Sequence, residues 1–312
     1  MKDKISKYFF MALIIVLIIM LSVLIYIRFF KNNSNSNEYA KLREKGQDEV
    51  LYLDYVIINS LNKLNNISYS RYEIVMKEVE DNSSQSSSKS DGEDSLQGQD
   101  RQNGEQGSTE SNGTENATDQ SENKTSRLSQ TDSLLNANYN DIPWKEISYS
   151  IETLYTAWPT ISVDLQKLNV NNEDRSNFEF TLDGAAQSIK NNDKSNALIN
   201  LYNLYTFLPK FLSYFVNNDA KLNLYNTKAY LLNAYISVDK SDWENMSNNV
   251  NSSINSLQWV INSGAINEYQ KSTFDKALTL LQDIKSGISI EDKEIFFLKY
   301  KLAIEQLEVL KI

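Results

Sequence analysis

An uninterrupted apolar stretch near the N-terminus constrains this chain more than any other feature of its sequence. The segment Tyr8–Ile27 contains no charged side chain and consists mainly of Ile, Leu, Met and Val. As a helix it would extend about 30 Å, which matches the hydrocarbon thickness of a bilayer. We therefore predict a transmembrane helix, which with its flanking residues spans 8–30.

The alternative interpretation of this stretch is a cleaved signal peptide, because residues 1–7 are basic. The apolar run is longer than the usual hydrophobic region of such a peptide, and the bulky residues up to Phe30 leave no small-residue cleavage site. A lipoprotein would need a cysteine, and the chain has none. We interpret 8–30 as an uncleaved signal-anchor and residues 1–7 as a cytoplasmic tail.

Two features of the sequence favour opposite orientations of the predicted anchor in the membrane. Lys and Arg residues alone slightly favour a cytoplasmic C-terminal part, since Arg28, Lys31, Lys41, Arg43 and Lys45 follow the apolar stretch. However, a polar tract and a large cysteine-free module come next, which is the pattern of an anchored surface protein. We therefore expect a single-pass protein of the cell membrane, in contact with lipid through residues 8–30, whose C-terminal domain is extracytoplasmic.

The residue types that the chain lacks exclude several classes of chemistry. It has no cysteine and no histidine in 312 residues, which removes disulfides, thiol nucleophiles, the common zinc sites and the Ser-His-Asp triad. We therefore predict no enzymatic activity, no metal and no cofactor. The net charge is −10 and no segment carries a Lys/Arg stripe, so nucleic acid is not an expected partner.

Residues 38–80 are predicted to form a juxtamembrane helix followed by an extended segment. Apolar residues recur at helical spacing from Glu38 to about Leu64. Residues 67–79 then alternate apolar and polar side chains and are rich in β-branched and aromatic residues, which favours an extended conformation. The alternative for 67–79 is a frayed continuation of the helix.

Residues 81–133 have the composition of a disordered linker. They contain 4 basic and 11 acidic residues, are rich in Ser, Gly and Asn, and include no aromatic residue. With so little apolar surface to bury, the segment cannot offset the entropy lost on ordering. We interpret it as an acidic spacer or a long surface loop.

Residues 141–312 show helical periodicity throughout and are predicted to form an all-helical domain of seven helices. The scarcity of Gly (9) and Pro (3) also favours long helices. In the first helix, Asp141 is the expected N-cap and Pro143 is expected in the first turn. Gly287 is the expected C-cap of the sixth helix, and Ser289 is expected to cap the seventh. The first six predicted helices are 141–168, Asn172–Lys190, Asp193–Val216, Asp219–Val238, Asp242–Ile261 and Asn267–Ser286.

Short polar turns between these helices predict antiparallel neighbours, as in a helical bundle or a short solenoid of helical hairpins. The segments Leu154–Pro159 and Leu204–Pro209 share Leu, Tyr, Thr and Pro at an offset of 50 residues. This favours three stacked hairpins and a capping helix. The alternative is a chance match of one proline-bearing motif.

The chain resembles a family of membrane-anchored helical proteins of low-GC Gram-positive bacteria. The resemblance rests on the anchor, the polar tract and three motifs of the helical domain. The motifs are Trp144-Lys145-Glu146-Ile147 with Trp158, the stretch from Asp193 to Phe211, and Phe296-Phe297-Leu298-Lys299-Tyr300-Lys301. It implies an all-α envelope protein and brings no activity with it.

Aromatic residues are the candidate contact surface of the helical domain. Trp259 lies off the apolar stripe of its helix and is a candidate for lining a groove. Tyrosine is frequent in two neighbouring helices, and a tyrosine offers a flat apolar face with one hydroxyl. The candidate ligand or partner surface consists of Trp259, Tyr202, Tyr214 and Tyr230, although ordinary core packing is the alternative for each tyrosine.

Two functions remain open after these exclusions. The first is a non-enzymatic interaction or structural module of the cell envelope, which binds another envelope protein or self-associates. The second is a sensor domain that binds a small ligand or cation in a pocket between helices, ringed by Tyr, Trp259 or a pair of carboxylates. The first is favoured by the anchor, the spacer and the missing catalytic residues.

Overall fold

The structure, a computed structural model, describes residues 37–67, 134–135 and 137–312. These residues form eight α-helices and one short 3₁₀ helix, and none of them lies in a β-strand. The all-α prediction is therefore confirmed. Within this part of the chain, no helix combines the length and apolar character needed to cross a membrane. The predicted tail 1–7, anchor 8–30, extended segment beyond residue 67 and linker 81–133 lie outside the described residues.

The helix α1 occupies residues 37–63. Seven further α-helices follow from residue 144 onwards, the number that the periodicity of 141–312 predicts. They are α2 (Trp144–Lys167), α3 (Asn172–Lys190), α4 (Lys194–Phe215), α5 (Asp219–Ser237), α6 (Trp243–Asn262), α7 (Glu268–Ile288) and α8 (Lys293–Glu308). The 3₁₀ helix Val238–Lys240 follows α5.

Side-chain caps fix where most of these helices begin. In each of the helices α3 to α8, an Asn or Asp at the N-cap accepts a hydrogen bond from the backbone N–H three residues later. Such a bond satisfies one of the backbone donors that a helix start leaves without a partner. The six capping residues are Asn171, Asp193, Asn218, Asp242, Asn267 and Asp292.

The prediction that Asp141 caps the first helix of the 141–312 domain is wrong. The N-cap of α2 is Pro143, whose ψ of 65° is not helical, and it makes no side-chain capping bond. Its carbonyl accepts the N–H groups of Glu146 and Ile147, so the helix starts directly after the proline. Asp141 is two residues too early to reach the first turn.

The boundary between the last two helices also differs from the prediction. α7 continues to Ile288, so Gly287 lies within the helix, and Ser289 is the C-cap of α7. The N-cap of α8 is Asp292. A Cβ at position 287 would meet the flexible side chain of Lys299, with Cδ 2.8 Å away.

Each helix from α2 to α7 packs against the helix that follows it, and α8 also contacts α5. Side-chain hydrogen bonds show that the neighbours α5 and α6 are antiparallel: the Ser253 hydroxyl donates to the Thr227 carbonyl, and the Ser256 hydroxyl donates to the Asn223 carbonyl. This order fits both a bundle and a hairpin solenoid, and the predicted internal repeat stays a prediction.

The helix α1 lies at the centre of the domain. Ten consecutive residues, 53–62, are buried, and a helix that is buried all round has neighbours on every side. Residues 37–67 and 134–312 belong to one compact unit. The prediction placed this helix in a juxtamembrane segment separate from the helical domain 141–312. In the structure the helices of that domain pack around it.

Polar contacts join α1 to both α5 and α8. The Tyr235 hydroxyl of α5 donates to the carbonyl of Leu61 and accepts from the Asn65 amide. The Tyr300 hydroxyl of α8 donates to Oδ1 of Asn62 at 2.8 Å. The rings of Tyr235 and Tyr300 stack with centroids 4.4 Å apart. These buried hydroxyls give the central helix a defined rotation, which apolar packing alone would leave free to vary.

A truncation in α1 tests its central position. We expect Ile57→Ala to lower the free energy of unfolding by about 2–5 kcal/mol, because Ile57 is fully buried and the change leaves a cavity. The matched control is Leu51→Ala on the same helix, at a residue that is 37% exposed, with an expected cost under about 1 kcal/mol. Urea unfolding followed by circular dichroism measures both, and equal costs would contradict the central placement of α1.

Candidate ligand-binding cleft

Three ionisable side chains meet in the interior of the domain: Asp54, Lys228 and Glu308, here called the Lys228 cluster. Nζ of Lys228 lies 2.6 Å from Oδ2 of Asp54 and 2.7 Å from Oε1 of Glu308. All three residues are buried, with exposures of 5% or less. Buried charges are rare in proteins unless they are paired, so the cluster is a distinctive feature of this fold.

Each member of the Lys228 cluster comes from a different helix. Asp54 lies within the buried stretch of α1, Lys228 lies in the middle of α5, and Glu308 is the last residue of α8. A fourth helix contributes through Tyr205 of α4, whose hydroxyl donates to Oδ1 of Asp54 at 2.6 Å. The cluster therefore ties the central helix to three of its neighbours.

The cluster contains two carboxyl groups and one ammonium group. Burial raises the pKa of Glu308 to about 7, and the nearby charge of Asp54 adds to this effect while Lys228 opposes it. Burial alone would lower the pKa of Lys228, but the charges of Asp54 and Glu308 more than offset this and hold it above its usual value. Lys228 is therefore charged near neutral pH, and Glu308 titrates there.

One oxygen of the cluster has no hydrogen-bond donor. Oε2 of Glu308 is buried and unpartnered, whereas Oε1 accepts from Lys228. A negative charge on Oε2 of Glu308 is unfavourable, because this buried oxygen has lost its water of hydration and has gained no hydrogen-bond donor in exchange. A proton on Glu308 relieves this cost, and Asp54 is close enough to accept a hydrogen bond from the protonated group.

A cleft of about 280 Å³ opens the Lys228 cluster towards the surface. Lys228 and Glu308 line it, and four residues of α1 form one wall. Its other walls are the N-terminal half of α5 and the short non-helical stretch after α8. The lining residues are Gln47, Asp48, Leu51, Tyr55, Lys221, Leu224, Tyr225, Lys228, Glu308, Leu310, Lys311 and Ile312.

The mouth of the cleft carries charges of both signs. Nζ of Lys221 donates to Oε1 of Gln47 at 2.6 Å. Burial lowers the pKa of Lys221, and burial together with the charge of Glu44 raises the pKa of Asp48. Deeper in the cleft, Nζ of Lys228 lies 5.0 Å from the ring centroid of Tyr225. The cleft thus combines charged residues with aromatic and leucine side chains.

A second group of ionisable residues joins α1 to α2 on another side of the central helix. Nζ of Lys45 lies 2.5 Å from Oδ2 of Asp164 and 3.5 Å from Oε1 of Glu49. Burial raises the pKa of Glu49 to about 7, against the opposing charge of Lys45. Oε2 of Glu49 is buried without a donor. Glu49 lines neither the cleft nor the groove between α2 and α3, and its contacts with Lys45 connect α1 to α2 through Asp164.

A wider groove of about 420 Å³ lies between α2 and α3. Trp144 and Tyr155 border it, with Lys145, Glu152 and Lys190 nearby. The Tyr155 hydroxyl donates to Oδ1 of Asp183 at 2.6 Å, so this ring is held in place. The groove is more open than the cleft and contains no buried charge.

The side chains around the cleft offer chemistry for binding a ligand. The described residues include no group of three or more acidic residues, or other ligating side chains, that is suited to holding a metal ion. The cleft supplies three ammonium groups, from Lys221, Lys228 and Lys311, and two carboxyl groups, from Asp48 and Glu308. It also supplies two phenol rings, from Tyr55 and Tyr225.

The structure places the four sequence-predicted aromatic residues at three separate positions. Tyr202 of α4 and Tyr230 of α5 are neighbours, since burial and the nearby Tyr230 both raise the pKa of Tyr202. The Tyr214 hydroxyl donates to Oδ2 of Asp174, at the start of α3. Trp259 of α6 is 46% exposed and lies near the opposite end of α5 from Tyr230.

The sequence analysis did not select Asp54, Lys228 or Glu308. Asp54 stands within the run Leu51–Leu64, which is apolar on more than one face, and an ionisable residue inside such a run is a signal of a buried charge. Lys228 and Glu308 give no comparable signal, because each follows other polar residues, Asn226 and Thr227 in one case and Glu305 and Gln306 in the other. Only the packing of α5 and α8 on α1 brings them to Asp54.

Comparison of the chain with protein-family models, with curated proteins and with solved structures finds no match. The resemblance to a membrane-anchored helical family therefore stays a prediction. Inferences about function rest on the cleft itself.

Removing the cation tests the Lys228 cluster as a charge network. We expect Lys228→Met to cost about 3–5 kcal/mol of unfolding free energy, because two buried carboxyl groups lose their counter-ion. The triple variant Asp54→Asn, Lys228→Met, Glu308→Gln should recover most of that loss. The control is Lys276→Met, an exposed lysine of α7. A cost for K228M no larger than for K276M in urea unfolding would contradict the network.

The raised pKa of Glu308 predicts a pH dependence of stability. Since the unfolded carboxyl titrates near 4.5 and the folded one near 7, the native state binds more protons between these values. The free energy of unfolding should therefore fall as the pH rises from 5 to 8. In Glu308→Gln, whose amide keeps a donor at this position, the fall should be smaller than in the parent chain. Exposed Glu268→Gln is the control, and identical profiles for the parent and E308Q would refute the assignment.

Proposed function

We propose that this chain is a membrane-anchored, non-enzymatic binding protein whose helical domain takes a small ligand in the cleft beside Lys228. The observation that supports this most directly is the cleft itself, a cavity between helices that reaches a buried pair of opposite charges. Small-molecule sites are concave and mostly apolar with a few well-placed polar groups. The cleft has this composition, with its leucines and tyrosines around Lys228 and Glu308.

The position of α1 supports a sensor role for the same domain. Gln47, Asp48, Leu51 and Tyr55 lie along one face of α1 and line the cleft, so a ligand there would contact the central helix directly. In sequence, α1 follows the predicted anchor 8–30 after a few residues. In our proposal the domain lies outside the cytoplasm, and ligand binding changes the stability of the helix next to the membrane.

A second candidate function is binding of an envelope protein or self-association. The groove between α2 and α3 supports it, because Trp144 and Tyr155 flank an open channel of about 420 Å³ bordered by lysines. Aromatic residues are frequent in the centres of protein interfaces. The groove has no buried charge that would fix a small ligand, so a peptide segment is the better match there.

Blocking the cleft tests the first proposal. We expect a subset of a library of small metabolites to raise the melting temperature of the detergent-solubilised full chain. Leu51→Trp should abolish this stabilisation, because Leu51 lines the cleft and is 37% exposed. Leu302→Trp is the matched control: Leu302 is 40% exposed on α8 and does not line the cleft.

Two results would count against ligand binding in the cleft. One is stabilisation of the L51W variant by the same compounds that stabilise the parent chain. The other is a library that stabilises neither the parent nor the L302W variant, while an envelope protein co-purifies with both. The second result would favour the interaction module.

A further inference from the structure

The Lys228 cluster lacks one positive charge when all its members are ionised. Asp54 and Glu308 bring two negative charges, and Lys228 brings one positive charge. The hydroxyl of Tyr205 satisfies Asp54 without adding charge. The imbalance is located on Glu308, whose Oε2 has no donor. Because charges in an interior of low dielectric constant must be compensated locally, a proton or a cation must complete the cluster.

The cleft provides a route by which a cation can arrive. Glu308 lines the cleft, and its side chain is covered by the protein. α8 ends at Glu308, and residues 310–312 of the following non-helical stretch form part of the cleft wall. The carbonyl of Lys311 is held by Nε2 of Gln270 at 2.8 Å. Glu308 therefore lies where α8 meets this part of the cleft wall.

The walls of the cleft select among cations. Tyr55 and Tyr225 present aromatic rings, and rings attract ammonium groups through their negative faces. Leu51, Leu224 and Leu310 offer apolar surface for an alkyl body. A bare metal ion would need several oxygen ligands, whereas the cluster leaves a single carboxylate oxygen without a partner. These features favour an organic cation.

We propose that the cleft binds a small organic ammonium ion, whose charged group pairs with Glu308 and replaces the proton that this residue otherwise holds. The alkyl part of the ligand lies against the leucines and tyrosines of α1 and α5. The inference rests on the proposed function, since it names the ligand class of the same cleft. It adds that ligand and proton compete for one position.

Competition with a proton gives the proposal a signature that ordinary apolar binding lacks. Affinity should rise with pH between 5.5 and 8, as Glu308 loses its proton. Close to pH 6 the binding of each ligand should release about one proton to the buffer. The ionisable groups that face Glu308 come from α1, α4, α5 and α8. They are Asp54, Tyr205, Tyr225, Lys228 and Tyr300.

The other groups in this set do not give the same signature. Lys228 and the three tyrosines have their pKa values raised above the usual ones, so they stay protonated throughout this pH range. Asp54 keeps both Lys228 and Tyr205 as donors. Loss of a proton between pH 5.5 and 8 that disappears in E308Q is therefore assigned to Glu308. A loss that persists in E308Q comes from another group of the cleft, such as Asp48, whose pKa is raised by burial.

The test is calorimetric titration of the full chain in detergent micelles with n-butylammonium chloride. n-Butanol and sodium butyrate serve as probes of similar size without the positive charge, and potassium chloride tests an inorganic cation. We expect butylammonium to bind and to release a proton, measured from the heats in buffers of different ionisation enthalpy. Glu308→Gln should weaken binding by about tenfold or more and remove the proton release. Exposed Glu268→Gln should change neither.

The outcomes separate this inference from the proposed function. Binding of butanol or butyrate as tight as that of butylammonium, with loss in L51W, would overturn the ammonium assignment and leave a ligand-binding cleft. Equal heats from potassium chloride, or binding of butylammonium by E308Q at the parent affinity, would also overturn it. Absence of butylammonium binding in the parent chain would overturn the inference, while the metabolite library with L51W and L302W would still decide the proposed function.

Discussion

The salt bridges from Lys228 to Asp54 and Glu308 join three helices that lie far apart in the sequence. Their partners belong to α1, α5 and α8, and the hydroxyl of Tyr205 adds α4. An apolar helix in an apolar surrounding can rotate or shift by a turn with little change in buried area. A charged pair at 2.6 Å allows no such freedom, because any shift leaves an ion buried without a partner. In this fold, polar contacts set the position of the central helix and apolar burial supplies most of its stability.

Much of the helical architecture was predictable because it is encoded locally. The spacing of apolar residues predicts seven helices after residue 141, and seven are present. Asn or Asp caps such as Asp193, Asp242 and Asn267 lie next to the predicted starts, since their side chains bond to the backbone of the next turn. The errors at Asp141 and Gly287 are local as well: Pro143 defines the start of α2, and α7 continues through Gly287 to Ile288.

The central helix and the cleft were not predictable in the same way. Helical spacing of apolar residues from Glu38 to Leu64 predicts a helix with one buried face, but in α1 Tyr55, Val56 and Ile58 on other faces are buried too. Asp54 lies 174 residues from Lys228 along the sequence, and Lys228 lies 80 residues from Glu308. No periodicity connects residues at such separations. Trp259 was chosen for its position off the apolar stripe, and Tyr202, Tyr214 and Tyr230 for the frequency of tyrosine in two helices. None of the four lines the cleft, because position on one helix does not reveal where several helices leave a concave surface.

The location of α1 at the centre has a consequence for how the chain matures. A ribosome would complete α1 long before α8, since Tyr300 contacts Asn62 across a separation of 238 residues. Until the last helices are synthesised, the apolar residues of 53–62 have no complete set of neighbours to cover them. Contacts between residues so far apart in the sequence slow folding. Apolar surface that stays exposed until its partner helices have formed promotes aggregation. Shortening the chain near its C-terminus would therefore damage the middle of the domain before its edge.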